Sequence, residues 1–148
     1  MTDSAYTAQV DKDVAAIKAL MLAVRNESIE RQIEDMQTPV GAGGNLRVDT
    51  GFLRSTLRGA VGQANFNVTY KPTDGAAAFS YDSAAVVLVI ANAELSDPIE
   101  VVYTANYALA REFGARGQPG DRWVGLASQR WVQNVERVAA EAKARAGR

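Results

Sequence analysis

A chain of 148 residues and 15.8 kDa, 47% apolar and 22% charged, can bury one core and is too apolar to stay disordered. It has no Cys and no His, which excludes disulfides, thiolate nucleophiles, thiolate-bound metals and any histidine-based triad. Sixteen basic against seventeen acidic residues leave a net charge of −1, so no bulk positive field draws in nucleic acid or an anionic membrane.

The polar start Met1–Tyr6 does not read as a targeting segment, and the longest purely apolar run, Ala84–Ala91, has eight residues, far short of the ~20 that cross a bilayer. The triplets Asn26-Glu27-Ser28 and Asn67-Val68-Thr69 are read as chance glycosylation matches, and the expected compartment of synthesis is a cytoplasm. The expected organisation is a single domain over residues 1–148.

The first third predicts one long helix. Val10, Val14, Ile17, Met21 and Val24 step by fours and threes, and the stripe resumes at Ile29, Ile33 and Met36 after a five-residue step. That slip either turns the apolar face around the helix or marks a bend near Asn26–Ser28. Residues 7–37 hold no Gly or Pro, and Thr38-Pro39 with Gly41, Gly43 and Gly44 stops the helix. About 30 helical residues span ~45 Å, more than a globule of this size covers alone, so part of the surface is expected to meet another subunit.

Val40–Leu46 reads as a mobile connector; it lacks the Gly-Lys-Ser/Thr of a phosphate loop. A short helix capped by Asp49 or Thr50 is expected next, seated by Phe52, Leu53 and Leu57. From Arg58 to Thr104 a meander of about four antiparallel strands is expected. Its members are Phe66–Tyr70, Ala76–Tyr81, a central strand Ala84–Ala93 with Val87 and Val89 buried, and Ile99–Tyr103. Asn106–Phe113 is a predicted helix ended by Gly114, and Asp121 is expected to cap a terminal helix over Arg122–Ala144. The fold class is therefore α+β: long N-terminal helix, antiparallel sheet, short helices and a C-terminal helix.

Residues 1–36 carry seven acids and four bases, and residues 111–148 carry eight bases and four acids. The terminal helices could attract one another within the chain, or the opposite charges could meet between neighbouring copies. No acid spacing demands a metal: Asp11 and Asp13 diverge on a helix, and Glu27, Glu30 and Glu34 share a face with Arg31 as solvated ion pairs. Trp123 and Trp131, two turns apart, read as core residues rather than base-stacking or interface anchors.

Two segments stand out. One is Asp49-Thr50-Gly51-x-Leu53-Arg54-x-x-Leu57; the other is Tyr107-Ala108-x-x-x-Glu112-x-Gly114, followed by the aromatic start of the final helix. In this order and separation, over Arg47–Val132, the chain resembles the tail-completion and neck proteins of long-tailed bacteriophages. That family usually places a Pro beside the aromatic opening the last helix; here Pro119 lies four residues before Trp123. The resemblance implies a homo-oligomeric ring, hexameric or twelve-fold, at the virion's head–tail junction. Its partners would be a tail tube protein and head connector or stopper proteins, with DNA only as cargo in the lumen and no membrane. It implies no enzyme activity, catalytic residue, metal or cofactor.

Arg54, Arg58, Glu112 and Arg116 are the polar residues expected to reach a neighbouring subunit, against the alternative that they are solvated charges. Two rival functions remain. One is a DNA-binding accessory of packaging or assembly using the basic last third, which a steep salt dependence of duplex binding would reveal. The other is a carboxylate–metal hydrolase, whose activity would require added divalent ion.

Overall fold

A computed structural model of the chain describes residues 2–73 and 78–147. It is a mixed helix-and-sheet structure led by α1, Thr2–Gln37, one uninterrupted helix. A 3₁₀ turn over Val40–Ala42 and α2, Phe52–Ser55, lead into β1, Leu57–Val61. Then come α3 (Ser83–Asn92), β2 (Ile99–Tyr103), α4 (Ala108–Phe113), β3 (Gly114–Ala115), β4 (Gln118–Pro119), α5 (Trp123–Ser128) and α6 (Trp131–Arg145).

The expected four-stranded meander is corrected to two separate antiparallel pairs. β1 pairs β2 from Leu57↔Tyr103 to Val61↔Ile99, and β3 pairs β4 in a minimal hairpin. Phe66–Tyr70 alternates as a strand would, yet joins the fold through one parallel bridge, Thr69↔Ala105. There Thr69 N donates to Thr104 O at 2.7 Å and the two Thr hydroxyls meet at 2.8 Å. Of the expected strand Ala76–Tyr81, Ala76 and Ala77 lie outside the described residues; the rest forms no ladder, and Phe79 N donates to Thr50 O at 2.9 Å.

The expected central strand Ala84–Ala93 is the helix α3. Its Asp82 carboxylate accepts from Ala84 N at 2.9 Å, a side-chain N-cap, and alanines dilute the β-branched run. Burial follows the helical period: Val86 and Ile90 are enclosed, whereas Val87 is exposed and Val89 only half-buried. A short apolar run does not distinguish strand from helix by periodicity, and only the cap favoured helix here. α3 packs on β1 at Gly59, where a Cβ would meet the Val86 and Val89 side chains at ordinary van der Waals distance.

The single expected terminal helix is broken at Gln129–Arg130 into α5 and α6. Asp121 does not cap it; its carboxylate pairs with Arg47 and Arg111, each at 3.1 Å. α6 runs antiparallel to α1: Arg145 pairs with Glu27, Arg31 with Glu141, and Arg130 with Asp35. The opposite charges of the two ends thus meet within one chain. Ser28, fully enclosed, lies between the α1 residues that reach α6, and its hydroxyl donates to Val24 O at 2.6 Å.

The core gathers Ile33 and Met36 of α1, Leu46, Phe52, Leu53, Leu57, Val86, Ile90 and Trp123. Trp123 packs edge-on against Tyr103 at 5.3 Å between centroids, as the expected core role requires. Trp131 is at the surface, 39% exposed. The connector Val40–Leu46 closes on itself, with Val40 N donating to Leu46 O at 2.9 Å and Leu46 buried.

Candidate functional site

The two sequence motifs, about fifty residues apart in the chain, meet in space. Phe52 lies 6.0 Å from the Tyr107 ring and 5.1 Å from Phe79. Gly51 makes this possible: its φ is +83°, and a Cβ there would lie 2.4 Å from Phe79 O. The expected side-chain cap of α2 by Asp49 or Thr50 is corrected: the N-cap residue is Gly51, which makes no side-chain cap bond. Thr50 Oγ1 only accepts a long contact from Phe52 N at 3.4 Å. Between the motifs lies a cavity of about 350 Å³ lined by Arg47, Arg54, Lys71, Tyr107 and Arg111, with Asp49 at its side. Burial pushes the Tyr107 phenol up from its usual value near 10, so the ring stays neutral at ordinary pH.

No hydrogen bond or ion pair joins any two of the four expected interface residues among the described residues. Arg54 is half-buried on α2, beside the same cavity, and its Nε is enclosed without a hydrogen-bond partner among the described residues. Arg58 is exposed on β1, and its guanidinium donates to Ser55 O at 2.8 Å and Leu57 O at 2.9 Å. Arg116 is exposed at the tip of the β3–β4 hairpin, held at φ +52° in a two-residue turn with Gly117 at φ +77°.

Glu112 is a correction. Its carboxylate is buried, and its two oxygens accept from Val124 N at 3.0 Å and Gly125 N at 2.8 Å. It caps α5 from a distance, the task assigned above to Asp121, and does not reach outward. The sequence signal was there in hindsight: α4 places Ala108 and Glu112 on one side and Leu109 and Phe113 on another. The second pair is the exposed one, at 72% and 73%.

Two apolar surfaces went unrecognised or were only half anticipated. Leu109 and Phe113 belong to a groove of about 720 Å³ whose walls include Phe66, Val68, Val102 and Val124, with Met36 among its lining residues. Thr69 anchors the Phe66–Val68 wall to Thr104, the residue that follows β2, and Ala64 N donates to a Glu100 carboxylate oxygen at 2.7 Å. The other surface is the N-terminal half of α1. Every residue from Asp3 to Ala19 is exposed, including Tyr6, Val10, Val14 and Ile17, and Met21 follows at 52%.

Exposure on every side of Asp3–Ala19 means that this half projects beyond the elements that cover the second half, and the five-residue step separately turns its stripe. At 100° per residue, the mean direction of Val10–Val24 differs from that of Ile29–Met36 by about 100°. The later segment faces the core; the earlier one faces away. α1 is anchored from Arg25 onward, where the guanidinium donates to Ala93 O at 3.0 Å and to Glu94 O at the C-terminus of α3.

Among the described residues no group of His, Cys, Asp or Glu is arranged to hold a metal, and no helix is long and apolar enough to cross a membrane. Of the basic last third, Arg111, Arg130 and Arg145 are engaged by Asp121, Asp35 and Glu27. Comparison of the chain with known protein families, with curated proteins and with solved structures gives no match.

Proposed function

We propose that this protein is a structural, ring-forming subunit of a bacteriophage neck or tail end, completing the tail and joining it to the head connector. The observation that carries the reading is the N-terminal half of α1: about 30 Å of helix with an apolar stripe that its own chain leaves uncovered. A helical face built this way functions by contact with another molecule. The motif pair Asp49-Thr50-Gly51-x-Leu53 and Tyr107-Ala108-x-x-x-Glu112-x-Gly114 gives the contact its proposed setting, through the resemblance described above. In this reading the partners are further copies of the chain, the tail tube and the connector or stopper proteins. Double-stranded DNA passes through the lumen without being recognised, and the mature location is the virion.

The DNA-binding alternative draws no comparable support, because three of the basic side chains it would use are neutralised by acids of the same chain. The test is electron microscopy and mass measurement of the purified protein, alone and mixed with tail tubes. Closed rings capping tube ends are expected. A chain that stays monomeric in the presence of tubes, or that binds duplex DNA with a steep salt dependence instead, would overturn the proposal.

A further inference from the structure

We infer that the projecting half of α1 from one molecule seats in the Phe66–Val68–Leu109–Phe113 groove of a second copy, a head-to-tail contact. This inference rests on the ring reading only for its setting, and its chemistry stands on the two surfaces. One is a convex apolar stripe, Tyr6, Val10, Val14, Ile17 and Met21; the other is a concave apolar groove of about 720 Å³. Helix-in-groove docking joins surfaces of these two kinds through anchors spaced by threes and fours.

The occupant cannot come from the same molecule. Met36 lines the groove, and α1 runs without interruption from Thr2 to Gln37. Tyr6 therefore lies about 45 Å along a straight helix from Met36, and the arm cannot fold back onto its own groove. Two different patches on one chain make the contact heterologous, the kind that closes into rings or extends into filaments. An arm face about 30 Å long on a helix about 10 Å wide offers ~500 Å². The contact then removes ~1,000 Å² from the two partners together, which reaches the lower bound of a specific interface.

Charge agrees with this pairing. The arm carries three acids, Asp3, Asp11 and Asp13, against two bases, Lys12 and Lys18, and none of the five makes an ion pair among the described residues; Asp13 accepts from Gln9 Nε2 at 2.9 Å. Arg58 stands across the ladder from groove-lining Val102, and Arg122 directly precedes Trp123 and Val124. Neither arginine has an acidic partner among the described residues. Acids on the arm meeting arginines at the groove would fix the direction of docking and speed encounter.

The test uses the full chain and two double variants, Val14→Asp with Ile17→Asp on the arm, and Leu109→Asp with Phe113→Asp in the groove. All four positions are exposed, so both variants should melt like the parent. Should the arm variant melt differently, Tyr6→Asp with Val10→Asp, nearer the free end, replaces it. Analytical ultracentrifugation up to hundreds of micromolar should show the parent associating and each variant alone weakened by more than about thirtyfold. An equal mixture of the two variants should form a one-to-one complex and stop, because one still offers an arm and the other a groove.

Three results would each overturn the inference: a groove variant that associates like the parent, a mixture that stays monomeric, or a parent monomeric throughout. Rings that form regardless of both variants leave the neck reading standing and remove this contact. Arm–groove pairing that grows only into open filaments keeps the contact and removes the ring.

Discussion

The two halves of α1 carry similar apolar stripes and meet opposite surroundings. From Arg25 to Gln37, Ile33 and Met36 enter the core, Ser28 is enclosed, and Glu27, Arg31 and Asp35 pair with α6. From Asp3 to Ala19 every residue is exposed among the described residues, and Val10, Val14 and Ile17 stand in solvent. Both halves are helix for the same local reasons: good helix formers and no Gly or Pro. The difference is reach: the first half extends past the elements that cover the second, so all of its faces are exposed. A slip of one residue in a three-four repeat also swings the second stripe away from the first by about 100°, and one helix can serve its own core and a separate surface.

The largest test of that contrast is truncation in each half. Ile33→Ala should cost about 2–5 kcal/mol in urea unfolding, as buried aliphatic truncations do, because the cavity left among Met36, Leu53 and Ile90 cannot fully collapse. Ile17→Ala, half a helix away, should change stability of the monomer by less than about 0.5 kcal/mol. Equal losses at the two sites would mean that the arm is covered within its own molecule.

A second test asks what the docked half leans on. Glu112→Ala leaves the amides of Val124 and Gly125 without their acceptor inside a buried site and should cost about 3 kcal/mol, with Glu112→Gln milder. Circular dichroism melts of the three proteins check this. An unchanged Glu112→Ala variant would return that residue to the surface role first expected of it.

Titration offers finer readouts. Burial raises the Tyr103 phenol far above its usual value near 10, so the folded chain holds that proton when the unfolded chain has released it. Stability from this site is complete below about pH 10 and declines as pH rises further; Tyr103→Phe should flatten the alkaline decline in melting temperature.

At the acid end, the Arg31 guanidinium beside Glu141 holds that carboxyl below its ordinary value of 4.5. Its contribution is present above that value and is lost as pH falls through the depressed one. The pair is solvent-exposed, so the effect should be the smallest of those named here. Glu141→Gln should lessen the acid-side drop in melting temperature.

Local chemistry by itself determined a good deal of this protein. The absence of Gly and Pro over residues 7–37 specified α1, and Thr38-Pro39 with the following glycines ended it. Gly51 and Gly114, both at positive φ, punctuated the two motifs where expected, and Ile99–Tyr103 alternated into β2. The five-residue step even announced that the apolar face would turn. Each of these is a property of neighbours in the chain, where φ/ψ preference and side-chain period act directly.

Only the tertiary structure decided the rest. Ala84–Ala93 is equally apolar as strand or helix; apart from the Asp82 cap nothing local chose between them, and in the fold it packs as a helix with Val86 and Ile90 buried. Phe66–Tyr70 has a strand's alternation but forms no ladder among the described residues, where Thr69 makes a single bridge to Ala105. Glu112 looked like a surface charge until the chain returned to lay the start of α5 over it, twelve residues later. Which stripe of α1 is buried likewise depended on where α3 and α6 came to rest. Periodicity records that a face is apolar; only the arrangement of distant segments determines whether this chain, or another, covers it.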